Sequence, residues 1–448
     1  MNEGQRIMAP DVTMSSSRHD SSRQASLLAR ARNSPVAAFT MATALSQIFP
    51  LISAPILTRL YTPAAFGGYA IYVALTTILG TLAILSMQHA VLLEQTAEDA
   101  VTAMVATMVP PIIFTTLLLA VLTATLFIFD VELHADLGRL LIFMPATVLL
   151  SSLYTAGYTW LLRVGRYRAL AVNKLVLAAS TMVFQIGVGL LRLETLGFIL
   201  ANLLGYVLAT VLVFSTISSN RRGNFRMPTF GAIWSAYRKH RGLALYTTPA
   251  SLLNTVCHSV PDLLLARLFG PTVLGHYSLG VRCVHAALTF VSSTVADVFR
   301  RDAALQQNST GQCRTSFRTY FFLMSGFALA VLVPLILVLP TFFRYVFGPD
   351  WTPSGTFVQC LTLLLVVRFV SSPLSYVWIV AGKQHYDMAW QLGLLILSVA
   401  AFLIPQIVIG ALTPELQFII YSTVVGAWYA LALFLSYYWS APHETLPK

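Results

Sequence analysis

Long apolar runs separated by short polar breaks follow one another along nearly the whole chain. Twelve stand out, at residues 36–57, 68–92, 102–128, 140–162, 170–190, 197–218, 243–265, 273–297, 319–343, 356–380, 388–409 and 416–439. A helix needs about 20 apolar residues to cross a bilayer, so each run predicts one crossing, and the longer ones tilt or overhang the interface. Barrel strands would instead alternate over about ten residues. The pattern predicts an all-α polytopic membrane protein with twelve transmembrane helices.

Composition agrees. Of 448 residues, 57% are hydrophobic and 10% charged, against about a quarter charged in soluble domains. This excludes an ordinary soluble enzyme, a disordered protein and a disulfide scaffold. The excess of 28 Lys and Arg over 17 Asp and Glu would suggest nucleic acid in a soluble protein, but here its placement decides otherwise. With the N-terminus inside, Arg59, Arg139, Arg192, Arg267 and Arg344 fall in outer loops, and Lys174, Arg282 and Arg368 fall inside helices. The other 20 of the 28 are cytoplasmic, a strong positive-inside bias that puts both termini in the cytoplasm. One inner loop, with Glu94, Glu98 and Asp99, carries no basic residue. Cys257, Cys283, Cys313 and Cys360 show no CxxC and no metal-ligand spacing, so they read as small hydrophobes, mostly buried.

Residues 1–34 form a Ser- and Arg-rich arm too polar to pack, a solvated tail in which Arg23, Arg30 and Arg32 offer contacts to anionic lipid. The apolar run after it is too long for a signal-peptide core. Residues 35–218 make a first lobe of six helices, 219–242 a basic cytoplasmic linker, 243–440 a second six-helix lobe, and 441–448 a short tail. In the linker, Phe230, Ile233, Trp234 and Tyr237 recur at helical spacing beside Arg238 and Lys239, as in an interfacial amphipathic helix.

The halves repeat one another. RLYTPAAFGGY (Arg59 to Tyr69) matches RLFGPTVLGHY (Arg267 to Tyr277) at an offset of 208, and YTWLLRVGRYR from Tyr158 matches YVWIVAGKQHY from Tyr376 with one residue slipped. Six helices per half bring both into the membrane from the same side, so the repeat is parallel, about a pseudo-twofold along the membrane normal. The Pro and Gly of the first match read as turn formers only.

The stretch LSQIFPLISAPILTRLYTPAAFGGYAIY and its echo in the seventh and eighth helices resemble the polysaccharide-exporter branch of the MOP superfamily. These are the O-antigen and exopolysaccharide flippases, relatives of the MATE exporters. The resemblance implies a flippase without cofactor or catalysis in the bacterial cytoplasmic membrane. Its cargo would be an undecaprenyl-pyrophosphate-linked oligosaccharide, among membrane lipids, polysaccharide polymerase and export machinery. Members of that family carry an Arg-aromatic-Glu group near the end of the second helix, where this chain reads Met87-Gln88-His89.

A diphosphate-linked sugar loses its hydrogen bonds in hydrocarbon at several kcal/mol per group, so a carrier needs a wet cavity with cations. Two polar stripes answer this: Thr247, Ser251, Asn254, His258 and Asp262 in the seventh helix, and Ser278, Arg282, His285, Thr289 and Ser292 in the eighth, each on one helical face. Arg282 and Arg368 lie roughly 15 Å from the outer ends of their helices, near the midplane, where an Arg costs about 2.5–3.5 kcal/mol. Repeat offsets place Ala74 opposite Arg282 and Leu150 opposite Arg368, so the scaffold itself requires neither cation. An internal pair of Arg282 with Asp262 is the structural alternative. Lys174 lies close enough to a cytoplasmic end to snorkel.

The expected binding residues are thus Arg282, Arg368, His285, Asn254 and His258, with Asp262 for ion coupling. Pro50, Pro55, Pro249 and Pro261 stand in the leading helix of each lobe as hinge candidates. A MATE-type small-molecule antiporter would want carboxylates in the cavity, yet Asp262 and Asp297 alone fall in helices. A membrane polymerase would want a sizeable outer loop, and none exceeds about fifteen residues. There is no GxxxxGK[ST] loop for ATP.

Overall fold

The computed structural model describes residues 35–128, 140–219, 227–383 and 385–441. The expected arm (1–34), most of the expected tail, and linker residues Arg221, Arg222 and Arg226 lie outside them. Every element within them is helical, and the helices group into twelve crossings. The first is Pro35–Ser46 with Ile48–Leu60, the second Pro63–Ile84 continued by Gln88–Leu93, the third Ala97–Ile128 and the fourth Met144–Arg163. The fifth and sixth are Tyr167–Gly189 and Glu194–Ser219. A linker helix, Phe230–Lys239, and a π-turn, Leu243–Thr247, lead into Thr248–Thr310, which holds the seventh and eighth crossings. The ninth runs from Arg314 to Val346 through a π-turn, and the tenth is Thr352–Cys360, Thr362–Leu374 and Val377–Val380. His385–Ile409 and Pro414–Trp439 complete the set.

Proline chemistry explains some of the breaks. The first crossing is interrupted at Gln47, because Pro50 has no N–H for the Ser46 carbonyl and its ring crowds that oxygen. Pro55 rides inside the following helix. Pro249 directly follows the π-turn Leu243–Thr247, where the widened turn accommodates its missing N–H, and Pro261 sits within that helix without a non-helical residue beside it. The corner between the seventh and eighth crossings is a single residue, Gly270, at φ 83°, a conformation open to glycine. Its repeat counterpart, Thr62, solves the same problem by capping, accepting a hydrogen bond from the Ala65 N–H at 3.2 Å.

The repeat is visible in packing. Tyr69 stacks on Phe198 of the sixth crossing at 4.9 Å, and its counterpart Tyr277 stacks on Phe418 of the twelfth at 5.4 Å. The halves meet chiefly where the second crossing lies along the seventh and eighth. There the matched motif does more than turn the chain. A Cβ on Gly67 would overlap the Pro271 carbonyl, and a Cβ on Gly275 would overlap the Pro63 carbonyl. The two contacts are reciprocal, as a pseudo-twofold requires, and they correct the turn-only reading. Buried Trp351, from the turn before the tenth crossing, completes the seam at this end, the outer one on the topology expected from the charge bias. Its Nε1 donates to the Thr58 carbonyl of the opposite half at 3.1 Å, and its ring lies between Phe66 and His276.

The inner seam differs. It is held by hydroxyls, Thr81 with Thr255 at 3.2 Å and Thr248 donating to Ser86 at 3.1 Å. Leu85 and Ser86 there adopt left-handed φ of 50° and 54°, which costs non-glycine residues energy and breaks the second crossing ahead of Gln88.

The linker helix is capped by Thr229. It turns Ile233, Ala236 and Tyr237 onto an apolar patch with Met87, Val91 and Met104, and Phe230 and Trp234 stay exposed. Lys239 and His240 both reach the buried Glu94 carboxylate, His240 at 2.7 Å. The inner loop without basic residues therefore draws its cations from the linker, about 145 residues away. Burial alone would raise the Glu94 carboxyl, but hydrogen bonds from Lys239 and His240 outweigh it and hold the group below the usual 4.5.

Two outcomes are expected. In a background whose four cysteines are replaced by serine, Gly275→Ala should force the outer seam apart at about 1–3 kcal/mol, and Trp351→Phe should loosen it less. A cysteine at Ala70 should then label faster with a membrane-impermeant maleimide from outside; unchanged labelling contradicts the seam. The Glu94 contribution is complete above pH 4.5 and is lost as pH falls through its lower folded value. Glu94→Gln should lower the melting temperature at neutral pH and flatten the acid limb, as thermal melts across pH will check.

Candidate functional site

Polar residues inside membrane helices need water or partners, and here they border cavities. On the side of the N-terminal half, a cavity of about 480 Å³ is lined by Gln47, Tyr154, Tyr158, Lys174, Tyr206 and Arg282, among others. A space of about 270 Å³ adjoins it through Thr155, Asn202 and Tyr206. That space shares Thr81 and Ile84 with a third, of about 470 Å³, at the inner seam, where Ser86, Asn254 and Gln391 stand. A separate cavity of about 410 Å³ in the C-terminal half is lined by His258, Arg300, Arg368, Trp390 and Tyr429, among others.

The predicted residues are therefore distributed. Asn254, His258 and Arg282 are all exposed although they sit mid-helix, and each opens to a different cavity. Arg368 is partly buried in the C-terminal cavity with its guanidinium 5.8 Å from the Tyr429 ring centre. It lies within electrostatic reach of His258 and His285. Among the described residues neither Arg282 nor Arg368 forms an ion pair. Asp262 is within electrostatic reach of Arg282 without closing the expected pair. Ser278 turns back to the Gly275 carbonyl of its own helix at 3.1 Å, and the Thr289 side chain lies outside the described residues.

Lys174 corrects the snorkelling expectation. Its Nζ donates to Thr43 at 3.2 Å and sits 5.3 Å from the Phe39 ring centre and 5.9 Å from that of Tyr158. Ring faces attract an ammonium, and these contacts hold it at the cavity wall, directed into the protein. Charge is thus not confined to one half: Arg282 and Lys174, from opposite halves, line the same space, and no carboxylate is among the described residues lining it.

The tyrosines of that cavity were also missed. Tyr154 lies 5.8 Å from Tyr158 and 6.1 Å from Tyr206, centre to centre, and Asn202 donates to Tyr69 at 2.6 Å. A signal existed. Nine helices among the described residues are apolar and long enough to cross a membrane, and neither Met144–Arg163 nor Thr248–Thr310 is one of them. Both of those helices supply residues to the cavities.

Comparison with known proteins fits this geometry. In fold the chain resembles membrane transporters. It is similar to the lipid II flippase MurJ in an inward closed conformation, at 15% identity over 89% of this chain and 87% of that one, with a TM-score of 0.66. It is also similar to an inward-facing multidrug resistance MATE family transporter of the MOP superfamily, at 14% identity over 88% and 93% with a TM-score of 0.62. The Vibrio cholerae MATE transporter VcmN matches at 14% identity over 91% and 97%, with a TM-score of 0.55. No curated protein sequence matches. Residues 56–356 match the model of the polysaccharide biosynthesis protein family, and the chain belongs to that family.

Proposed function

We propose that the protein flips a lipid-linked oligosaccharide diphosphate from the inner to the outer leaflet of a bacterial cytoplasmic membrane, with both termini inside. The observation that carries this reading is the cavity shared by Arg282 and Lys174. Two cations from opposite halves, set among amides and phenols with no carboxylate, suit a dianion that has lost its water. Hydroxyls, amides and aromatic faces along the connected spaces suit the sugar. The family membership and the fold likeness to the lipid II flippase MurJ support the same class of cargo.

The seams support alternating access. The outer side is closed by packed rings and backbone, and the inner side by single hydroxyl contacts, so the cavities face the leaflet where such substrates are made. Rocking of the halves about the outer crossing, with the Pro50 break as a bend, would exchange the two closures. Carrying a diphosphate outward from a negative interior is downhill by about 2.3 kcal/mol per charge per 100 mV. Asp262, His258 and His285 are the groups placed to couple an ion if the potential is supplemented. A polymerase and export machinery would then take the glycan at the outer face. The MATE-type antiporter reading has less support, because the Arg282 cavity offers an organic cation no carboxylate.

Arg282→Ala and Lys174→Gln should each lower export at least about tenfold, the loss of one charge-assisted contact, with membrane abundance near normal. Lipid-linked glycan should then build up in the inner leaflet of the variant strain. Normal export from both variants removes the site; glycan stranded in the outer leaflet removes the flippase.

A further inference from the structure

The C-terminal cavity holds cations that the diphosphate does not need. It shares no lining residue with the Arg282 cavity, so one diphosphate cannot fill both. We propose that it receives an acidic sugar of the same glycan, which makes the cargo an anionic oligosaccharide carrying a carboxylate; this rests on the flippase reading above.

Several observations converge on a carboxylate sugar rather than a bare anion. Arg368, Ser371 and Ser375 recur at helical spacing on the tenth crossing and line the cavity together. They present a guanidinium, which pairs with a carboxylate in bidentate fashion, beside hydroxyls that suit ring oxygens. Aromatic walls face them: Trp390 lies 5.2 Å from Tyr429 and 6.2 Å from Trp378, steeply inclined to both. The Trp390 Nε1 is buried and has no hydrogen-bond partner. Trp N–H groups normally find one when buried, and the ring itself forms part of the cavity wall.

Charge points the same way. The cavity's described lining also carries one carboxylate, Asp387, which accepts a hydrogen bond from the neutral Gln391 at 2.9 Å and keeps its charge, so the anion is placed at Arg368 rather than beside it. Arg300 is held by Asp297 at 3.3 Å on the exposed side. Arg368 is left with the Tyr429 ring and no counter-ion among the described residues. Its repeat counterpart is Leu150, so this cation belongs to the chemistry of one half. A neutral glycan would leave it buried and unanswered.

The test uses the full chain in lipid nanodiscs and three probes: a glucuronate-containing tetrasaccharide, its carboxyl-reduced counterpart, and farnesyl pyrophosphate. Binding is read by calorimetry and by tryptophan fluorescence. The acidic tetrasaccharide should bind about tenfold or more tighter than the reduced one, the worth of one charge-assisted pair. Arg368→Gln should erase that preference and leave farnesyl pyrophosphate binding unchanged, whereas Arg282→Gln should do the reverse. Arg368→Lys, which keeps the charge, should retain part of the preference and guards against a folding defect.

Equal binding of the two tetrasaccharides, or binding of neither, overturns the proposal. So does loss of farnesyl pyrophosphate binding in Arg368→Gln, which would make the cavity a second diphosphate site, or equal competition by inorganic phosphate. Failure of farnesyl pyrophosphate to bind the unmodified protein counts instead against the flippase reading, and the sugar preference is still measured.

Discussion

Two backbone contacts govern the molecule: Gly67 beneath the Pro271 carbonyl and Gly275 beneath the Pro63 carbonyl. With no side chain between them, the second and eighth crossings approach at backbone distance at this end of the bundle, and the small residues permit it. Trp351 adds an indole hydrogen bond and ring packing to the same end. At the other seam the described residues pair through hydroxyls, Thr81 with Thr255 and Thr248 with Ser86, each worth about 1 kcal/mol net. The inequality between seams follows from residue size and chemistry, and on the proposed orientation it sets which side of the membrane the cavities serve.

Duplication supplied the scaffold and divergence supplied the chemistry. Tyr69 on Phe198 and Tyr277 on Phe418 are the same contact made twice. Thr62 and Gly270 solve the same corner in different ways. Ala74 opposite Arg282 and Leu150 opposite Arg368 show that no cation is needed to build either bundle. An Arg in the membrane costs stability, and on the proposed reading a scaffold that folds without it retains it for a ligand.

Much of the fold was legible because it is written in one dimension. Twelve apolar runs predict twelve crossings, and the constant offset of 208 between RLYTPAAFGGY and RLFGPTVLGHY predicts a parallel repeat, but its Pro and Gly read as turn formers and the reciprocal contact of Gly67 and Gly275 is not legible in them. What was illegible depended on distant partners. Lys174 looked able to reach the interface by counting residues, but Thr43, Phe39 and Tyr158, from the first and fourth crossings, turn it inward. Glu94 looked like a breach of the charge rule until Lys239 and His240 came to it from the linker. Asn254 and His258 of the seventh helix and Arg282 of the eighth are exposed mid-helix, yet helical spacing says only that the first two share a face of one helix. It cannot say that the three line different cavities.

The division has a consequence for release. Tight binding speeds capture and slows departure, so a carrier must loosen its grip as it turns. Arg282 belongs to the C-terminal half and Lys174 to the N-terminal half, and both border one cavity. On the proposed reading they act together while the outer seam is closed. Rocking of the halves moves the two cations relative to each other, and the diphosphate is then left with one charge-assisted partner instead of two. A site built wholly within one lobe, as around Arg368, would travel as a rigid body and hold its ligand equally in both states. Placing the diphosphate between lobes and a weaker sugar contact within one lets a single motion carry the cargo across and lower its affinity at the far side.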